Sequence, residues 1–147
     1  MKVKLNISKG NKETYAEIFS SSITPEVEKA VNFIEKLGEK KDILPLILGE
    51  KTILVKTSEI FMARVEDNST VVYTEKEKYI CKKRLYEILE NLQGDFMRIS
   101  KTTVINLKKA KCVEPYFSGT FYITLTNGLT DYISRKYMPE FKKYLGI

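Results

Sequence analysis

The sequence has no histidine and no tryptophan, only two cysteines, four prolines and seven glycines, and the lack of histidine and the few cysteines and glycines narrow its possible functions. Without histidine the chain lacks the commonest general base and the commonest transition-metal ligand. It also has no Gly-rich phosphate loop. Paired carboxylates occur at Glu66-Asp67 and at Glu75 and Glu77, but in turn-like, solvated surroundings where they favour solubility over acid–base chemistry. Cys81 and Cys112 lie in β-like runs beside Ile80 and Val113, without the short paired spacing of a zinc site, and read as buried free thiols. No enzyme activity, metal or cofactor is expected. No apolar run approaches the ~20 residues a membrane-spanning helix needs. The charged opening Met1-Lys2-Val3-Lys4 does not read as a signal peptide, so a reducing cytoplasm is the expected compartment.

What the chain does have is positive charge, unevenly placed. Its net charge is +6. Residues 1–43 hold eight lysines against seven acids, residues 44–96 eight basic residues against nine acids, and residues 97–147 nine against three. The whole excess therefore sits in the last third, as an anion-seeking surface requires. With 147 residues, 43% of them hydrophobic, the chain can bury one respectable core or two small ones.

Taken in order, Val3 to Ile7 alternates, Ser8 to Asn11 is turn-like and Glu13 to Phe19 resembles a second strand, which predicts a β-hairpin. A helix follows, capped by Thr24, with Pro25 at its first position, Glu26 and Glu28 at the positive end of its dipole, and Gly38 closing it. Val27, Ala30, Val31, Ile34 and Leu37 form one apolar stripe. This β-β-α unit, residues 1–42, is too small to be stable without packing on something else, and a dimerisation or regulatory role is expected for it. Residues 43–147 then form a second domain. Short strand-like runs at 43–48, 52–56, 60–66, 70–74 and 78–82 predict an antiparallel meander. Leu85, Ile88, Leu89 and Leu92 mark one short helix. Asn127-Gly128 is the strongest hairpin signal, and Pro139 with Tyr137, Phe141, Tyr144 and Leu145 predicts a terminal helical turn. The expected fold class is mainly β with a few short helices, α+β overall.

The stretch from Phe96 to Arg135 says most about function. Arg98, Lys101, Lys108, Lys109 and Lys111 crowd together with no acid between them. The loop Ser100-Lys101-Thr102-Thr103 combines hydroxyls that can donate to phosphate with a cation that can reach phosphate or guanine. Arg135 offers a planar fork for guanine O6 and N7, and Ser134 and Lys136 flank it. Arg98 can serve a carboxylate or a phosphate, Asn106 suits backbone bonding at a strand end, and Lys108 and Lys109 suit sequence-independent attraction.

The order Phe-x-Arg-Ile-x-Lys-Thr-Thr-Val-Ile-Asn-Leu from Phe96, then Glu114-Pro115-Tyr116, Asn127-Gly128 and Ser134-Arg135-Lys136-Tyr137, resembles the LytTR family of DNA-binding domains from about Leu44 to Ile147. Ser100 stands where that family often has histidine. The resemblance implies a mainly β transcription regulator that binds double-stranded DNA, with direct repeats and a homodimer on the site. It implies loops entering successive major grooves, with Lys101 and Arg135 on two of them and Asn68 or Ser69 on a third. It further implies a stand-alone regulator without a receiver domain, of a type controlled in some cases by a membrane protein. Aromatic residues Tyr116, Phe117, Phe121, Tyr122 and Tyr132 keep an RNA or single-strand binder open, although their strand alternation favours core burial. A basic module held by a membrane partner is the third reading.

Overall fold

A computed structural model describes residues 2–5, 7–10, 14–37, 41–92 and 94–147. The chain divides into two compact units, Met1–Leu37 and Gly38–Ile147.

The first unit contains α1 (Pro25–Lys36). Its start follows the capping chemistry: the Thr24 hydroxyl accepts from the Val27 N–H at 3.3 Å, and Pro25 occupies a position where no N–H is needed. Gly38, the expected terminator, lies outside the described residues. No residue of α1 is buried, and Phe33 and Leu37 stand largely exposed. The predicted hairpin is not seen. Among the described residues no strand precedes Ile43, and Val3, Leu5, Ile7, Tyr15 and Phe19 are exposed, while Asn6 and Asn11 to Glu13 lie outside the description. A two-stranded hairpin without a third strand or a helix to cover one face is marginal in water.

The second unit is antiparallel β with two helices. A seven-stranded sheet contains β1 (Ile43–Leu48), β2 (Lys51–Lys56), β3 (Met62–Glu66), β4 (Ser69–Tyr73), β5 (Lys78–Cys81), β6 (Phe96–Arg98) and β7 (Thr103–Asn106), in the order β2-β1-β5-β4-β3-β7-β6. Only β3-β4-β5 is the expected meander. The β1–β2 hairpin joins at β5, through Ile47 opposite Ile80, so that β2 becomes an edge strand, with Lys51, Leu54 and Lys56 exposed. Such pairing is non-local, and strand spacing along the chain does not encode it. A second sheet, β10-β9-β8, is built from β8 (Ala110–Pro115), β9 (Phe121–Leu125) and β10 (Thr130–Ile133). The turn joining β9 to β10 carries Asn127 and a Gly128 at φ 88°, a conformation for which glycine has no Cβ penalty.

Two cores lie on opposite faces of the large sheet. On one face α2 (Leu85–Asn91) places Leu85 and Ile88 against Leu46, Ile60, Ala63, Val72 and Val104. On the other, Met62, Ile99 and Ile105 meet Ile123, Leu125 and Ile133 of the small sheet and Met138 and Phe141 of α3 (Met138–Leu145). The apolar run Val104-Ile105 needs both: successive side chains alternate faces, and all four residues of β7 are buried. Pro139 and Glu140 open α3, and Gly146 at φ 72° closes it as a left-handed cap. Cys81 is buried in the first core, which raises its thiol pKa by desolvation. Cys112, expected to be buried, is exposed. It falls opposite Thr124, on the face of the small sheet that the alternation turns away from Val113 and Ile123.

Candidate nucleic-acid interface

Three loops from separate parts of the second unit are tied together by main-chain bonds. The first joins β3 to β4 through Asp67 and Asn68, both at positive φ (47° and 62°), while Glu66 pairs with Ser69. Two consecutive residues with φ above zero make the tight hairpin turn that matches strand twist, and Asn and Asp accept that conformation more readily than most residues. Asn68 is therefore at a tip, and Ser69 is an exposed first strand residue.

The second loop joins β6 to β7. Arg98 holds it from within, donating from Nε to the Ser100 carbonyl at 3.1 Å and from Nη2 to the Lys101 carbonyl at 2.6 Å. The Thr102 N–H donates to the Ser100 hydroxyl at 3.2 Å, and the Ser100 and Thr102 hydroxyls share a 3.3 Å bond. Arg98 thus meets neither carboxylate nor open solvent as its main partner; it is a strut that leaves Lys101 exposed at the turn. The Val65 N–H donates to the Thr102 carbonyl at 2.9 Å and fastens this loop to β3 beside the first.

The third loop follows β10. The Ser134 N–H donates to the Ile99 carbonyl at 2.9 Å, which locks it to the second loop. Arg135 donates from Nε to the Ser118 carbonyl at 2.5 Å, and its Nη1–Nη2 end makes no hydrogen bond among the described residues. Lys136 lies over the Tyr137 ring at 5.7 Å. Asn68, Ser69, Ser100, Lys101, Thr102, Ser134, Arg135 and Lys136 therefore share one end of the unit.

Lys108 and Lys109 do not join them. They occupy the turn after Asn106, at the opposite end of β7 from Lys101, and the Lys109 ammonium sits 4.9 Å from the Phe61 ring centroid. Asn106 is buried and structural, as expected. Its Nδ2 donates to the Ile60 carbonyl at 3.0 Å, and its Oδ1 accepts from the Lys108 N–H at 3.1 Å.

Sequence reading missed a polar network beneath the loops. Arg64 donates from Nε and Nη2 to Glu66 at 2.9 and 2.6 Å, and from Nη1 to Asp131 at 3.4 Å; Asp131 also accepts from the Thr103 hydroxyl at 2.8 Å. It links β3 and β7 of the large sheet to β10 of the small one. The available signal was Asp131 itself, on the same face of β10 as buried Ile133, where a carboxylate needs partners. Partial burial alone would lower the Arg64 pKa, but its bonds to Glu66 and Tyr73 outweigh that and hold the guanidinium charged. The Tyr73 hydroxyl, donating at 2.7 Å, is the main cause that holds Glu66 below the usual carboxylate range, with Arg64 adding to it. A depressed folded-state pKa stabilises the protein above the unfolded value, about 4.3 for Glu, and that contribution is lost as pH falls through the folded value. Glu66→Gln is therefore expected to lower the melting temperature at pH 7 and to narrow its gap to wild type in a melting series carried down below pH 4.

The second missed element is the loop from Tyr116 to Thr120 that receives Arg135. It is closed by the Tyr116 N–H donating to the Thr120 carbonyl at 2.9 Å, and Ser118 sits at φ 58°. Tyr116 and Tyr132, expected in the core, are exposed on the outer face of the small sheet with ring centroids 4.9 Å apart, and Tyr122 lies 5.0 Å from Tyr132. Among the described residues no group of three or more acidic, Cys or His side chains could hold a metal, and no helix is long and apolar enough to cross a membrane.

The fold is that of a mainly β DNA-binding domain. The chain belongs to the LytTr DNA-binding domain family, whose model matches residues 50–146. It is similar to the LytTr DNA-binding domain of a response regulator from Bacillus cereus, with a TM-score of 0.69 and 27% identity, covering 73% of this chain and 99% of that one. Sensory transduction protein LytT of Enterococcus faecalis is 28% identical over 79% of this chain, and this chain spans 48% of that relative. An uncharacterized HTH-type transcriptional regulator of Staphylococcus aureus is 26% identical over the full chain and 99% of its own length.

Proposed function

We propose that this protein is a transcriptional regulator that binds double-stranded DNA sequence-specifically, reading major grooves through the loops at 67–69, 99–102 and 134–137. The observation that carries the reading is the pair of main-chain bonds, Ser134 to Ile99 and Val65 to Thr102, that hold these loops side by side with Lys101 and Arg135 exposed. Lys101 and Arg135 are assigned base edges; Asn68, Ser69, Ser100, Thr102, Ser134 and Lys136 are assigned phosphates or neighbouring bases. Arg98 acts through the loop it braces. Lys108 and Lys109, remote from the tips, add general attraction to the backbone. Selection from random duplexes, followed by affinity measurements on the selected duplex, its single strands, the matching RNA and anionic vesicles, tests this. Preference for the selected duplex is expected. Equal or tighter binding to a single strand would favour the exposed tyrosines as a base-stacking platform, and binding to vesicles alone would favour the membrane reading.

Two protomers on a tandem direct repeat are the proposed assembly in the cytoplasm, with residues 1–42 controlling self-association, because the apolar side chains Phe33 and Ile34 of α1 and Leu37 just after it are exposed. A membrane-protein regulator acting on this unit fits the same scheme. Deleting residues 1–42 is expected to leave single-site affinity within about threefold and to abolish cooperative filling of a tandem site. Unchanged cooperativity and stoichiometry in the truncated protein would assign the unit another role.

A further inference from the structure

We infer that Phe117 is an additional base-reading side chain, which contacts the 5-methyl group of a thymine within two base pairs of the guanine read by Arg135. The inference rests on the major-groove reading above and extends it to a loop with no charged side chain.

Phe117 is 80% exposed, in a loop that is otherwise well bonded. Its carbonyl accepts from both the N–H and the hydroxyl of Thr120, at 3.3 and 2.7 Å. The next residue, Ser118, is held in the left-handed region, uncommon for a residue with a side chain, and Gly119 follows at φ 76°. The ring takes no part in the stack of Tyr116, Tyr122 and Tyr132. A large apolar side chain is therefore displayed on a defined backbone without a protein partner among the described residues.

Its neighbour decides what it faces. The Ser118 carbonyl is the acceptor for Arg135 Nε, so the Phe117 backbone is one residue from the atom that orients the guanidinium. Consecutive Cα atoms are about 3.8 Å apart, and base pairs stack about 3.4 Å apart along each strand. When the Nη1–Nη2 end of Arg135 meets a guanine, Phe117 is thus beside the same stretch of groove. A hydrocarbon ring cannot hydrogen-bond to base edges, and the apolar group that the major groove offers is the thymine methyl. A protein docked on Phe117 would instead cover Arg135. The nearest acid in sequence, Glu114, lies opposite Tyr122 within the sheet, on the far side of Tyr116 from the loop.

The test replaces each thymine near that guanine singly by deoxyuridine in the selected duplex, which removes the methyl and keeps the base pairing. For wild type, one such replacement is expected to lower affinity about fourfold, the scale of burying one methyl group. Phe117→Ala, at an exposed position, is expected to melt as wild type does and to bind the thymine and deoxyuridine duplexes equally. The inference is overturned if wild type is indifferent to every replacement, if Phe117→Ala keeps the penalty, or if the selected site has no thymine within two base pairs of the guanine. Arg135→Ala separates the two levels: if it leaves sequence discrimination intact, the loop reading itself fails, whatever Phe117 does.

Discussion

Arg135→Ala is expected to weaken binding to the preferred duplex by ~1–3 kcal/mol and to relax discrimination at one base pair, with a much smaller loss on a scrambled duplex. The guanidinium is braced through Nε by the Ser118 carbonyl, so it meets the DNA already oriented and the cost of ordering it is largely met in the free protein. Arg135→Lys is expected to recover general attraction but not discrimination, because an ammonium cannot match guanine O6 and N7 bidentately. Lys101→Ala should follow Arg135→Ala if Lys101 contacts a base. Lys108→Ala should instead weaken all sequences alike and make the log K against log salt slope shallower by about 1. A salt series on both duplexes separates these outcomes, and equal losses on both for Arg135→Ala would move the guanine contact to another loop.

The largest effect on stability is expected from Phe141→Ala, about 3–5 kcal/mol, a substantial part of the 5–15 kcal/mol typical of a domain. Phe141 is 1% exposed and packed in the core where α3 meets both sheets, so its removal leaves a cavity there. Tyr144→Ala, on the same helix but half exposed, is expected to cost about 0.5 kcal/mol or less. Urea unfolding of both variants measures the difference. A loss below about 1 kcal/mol for Phe141→Ala would mean that α3 is not part of the cooperative core.

Local patterns in the chain were legible wherever the deciding interaction was local. Thr24-Pro25 marks the start of α1, Asn127-Gly128 the last hairpin, and Pro139 the start of α3, because each acts within a few residues of itself. The exposure of Lys101 and Arg135 in loops was legible because each is a cation among short polar residues between strands, whereas the role given to them rested on the family resemblance. The N-terminal hairpin was misread for the complementary reason. Alternation supplies a face, but a strand also needs a partner, and among the described residues none is paired there.

By itself, then, the amino-acid sequence determined the mainly β class, the concentration of positive charge in the last third, the absence of histidine chemistry and the identities of the turns. Tertiary structure alone decided that β5 lies between β1 and β4, that Cys112 and two of the three stacked tyrosines face solvent, and that Lys108 and Lys109 stand at the far end of β7 from Lys101. It also decided that Asp131 reaches Arg64 and that Ser118 receives Arg135. The physical reason is sequence separation. Propensities, caps and turns depend on neighbours along the chain, whereas strand order and charge pairing arise only when two faces of one sheet have each found a layer to bury against.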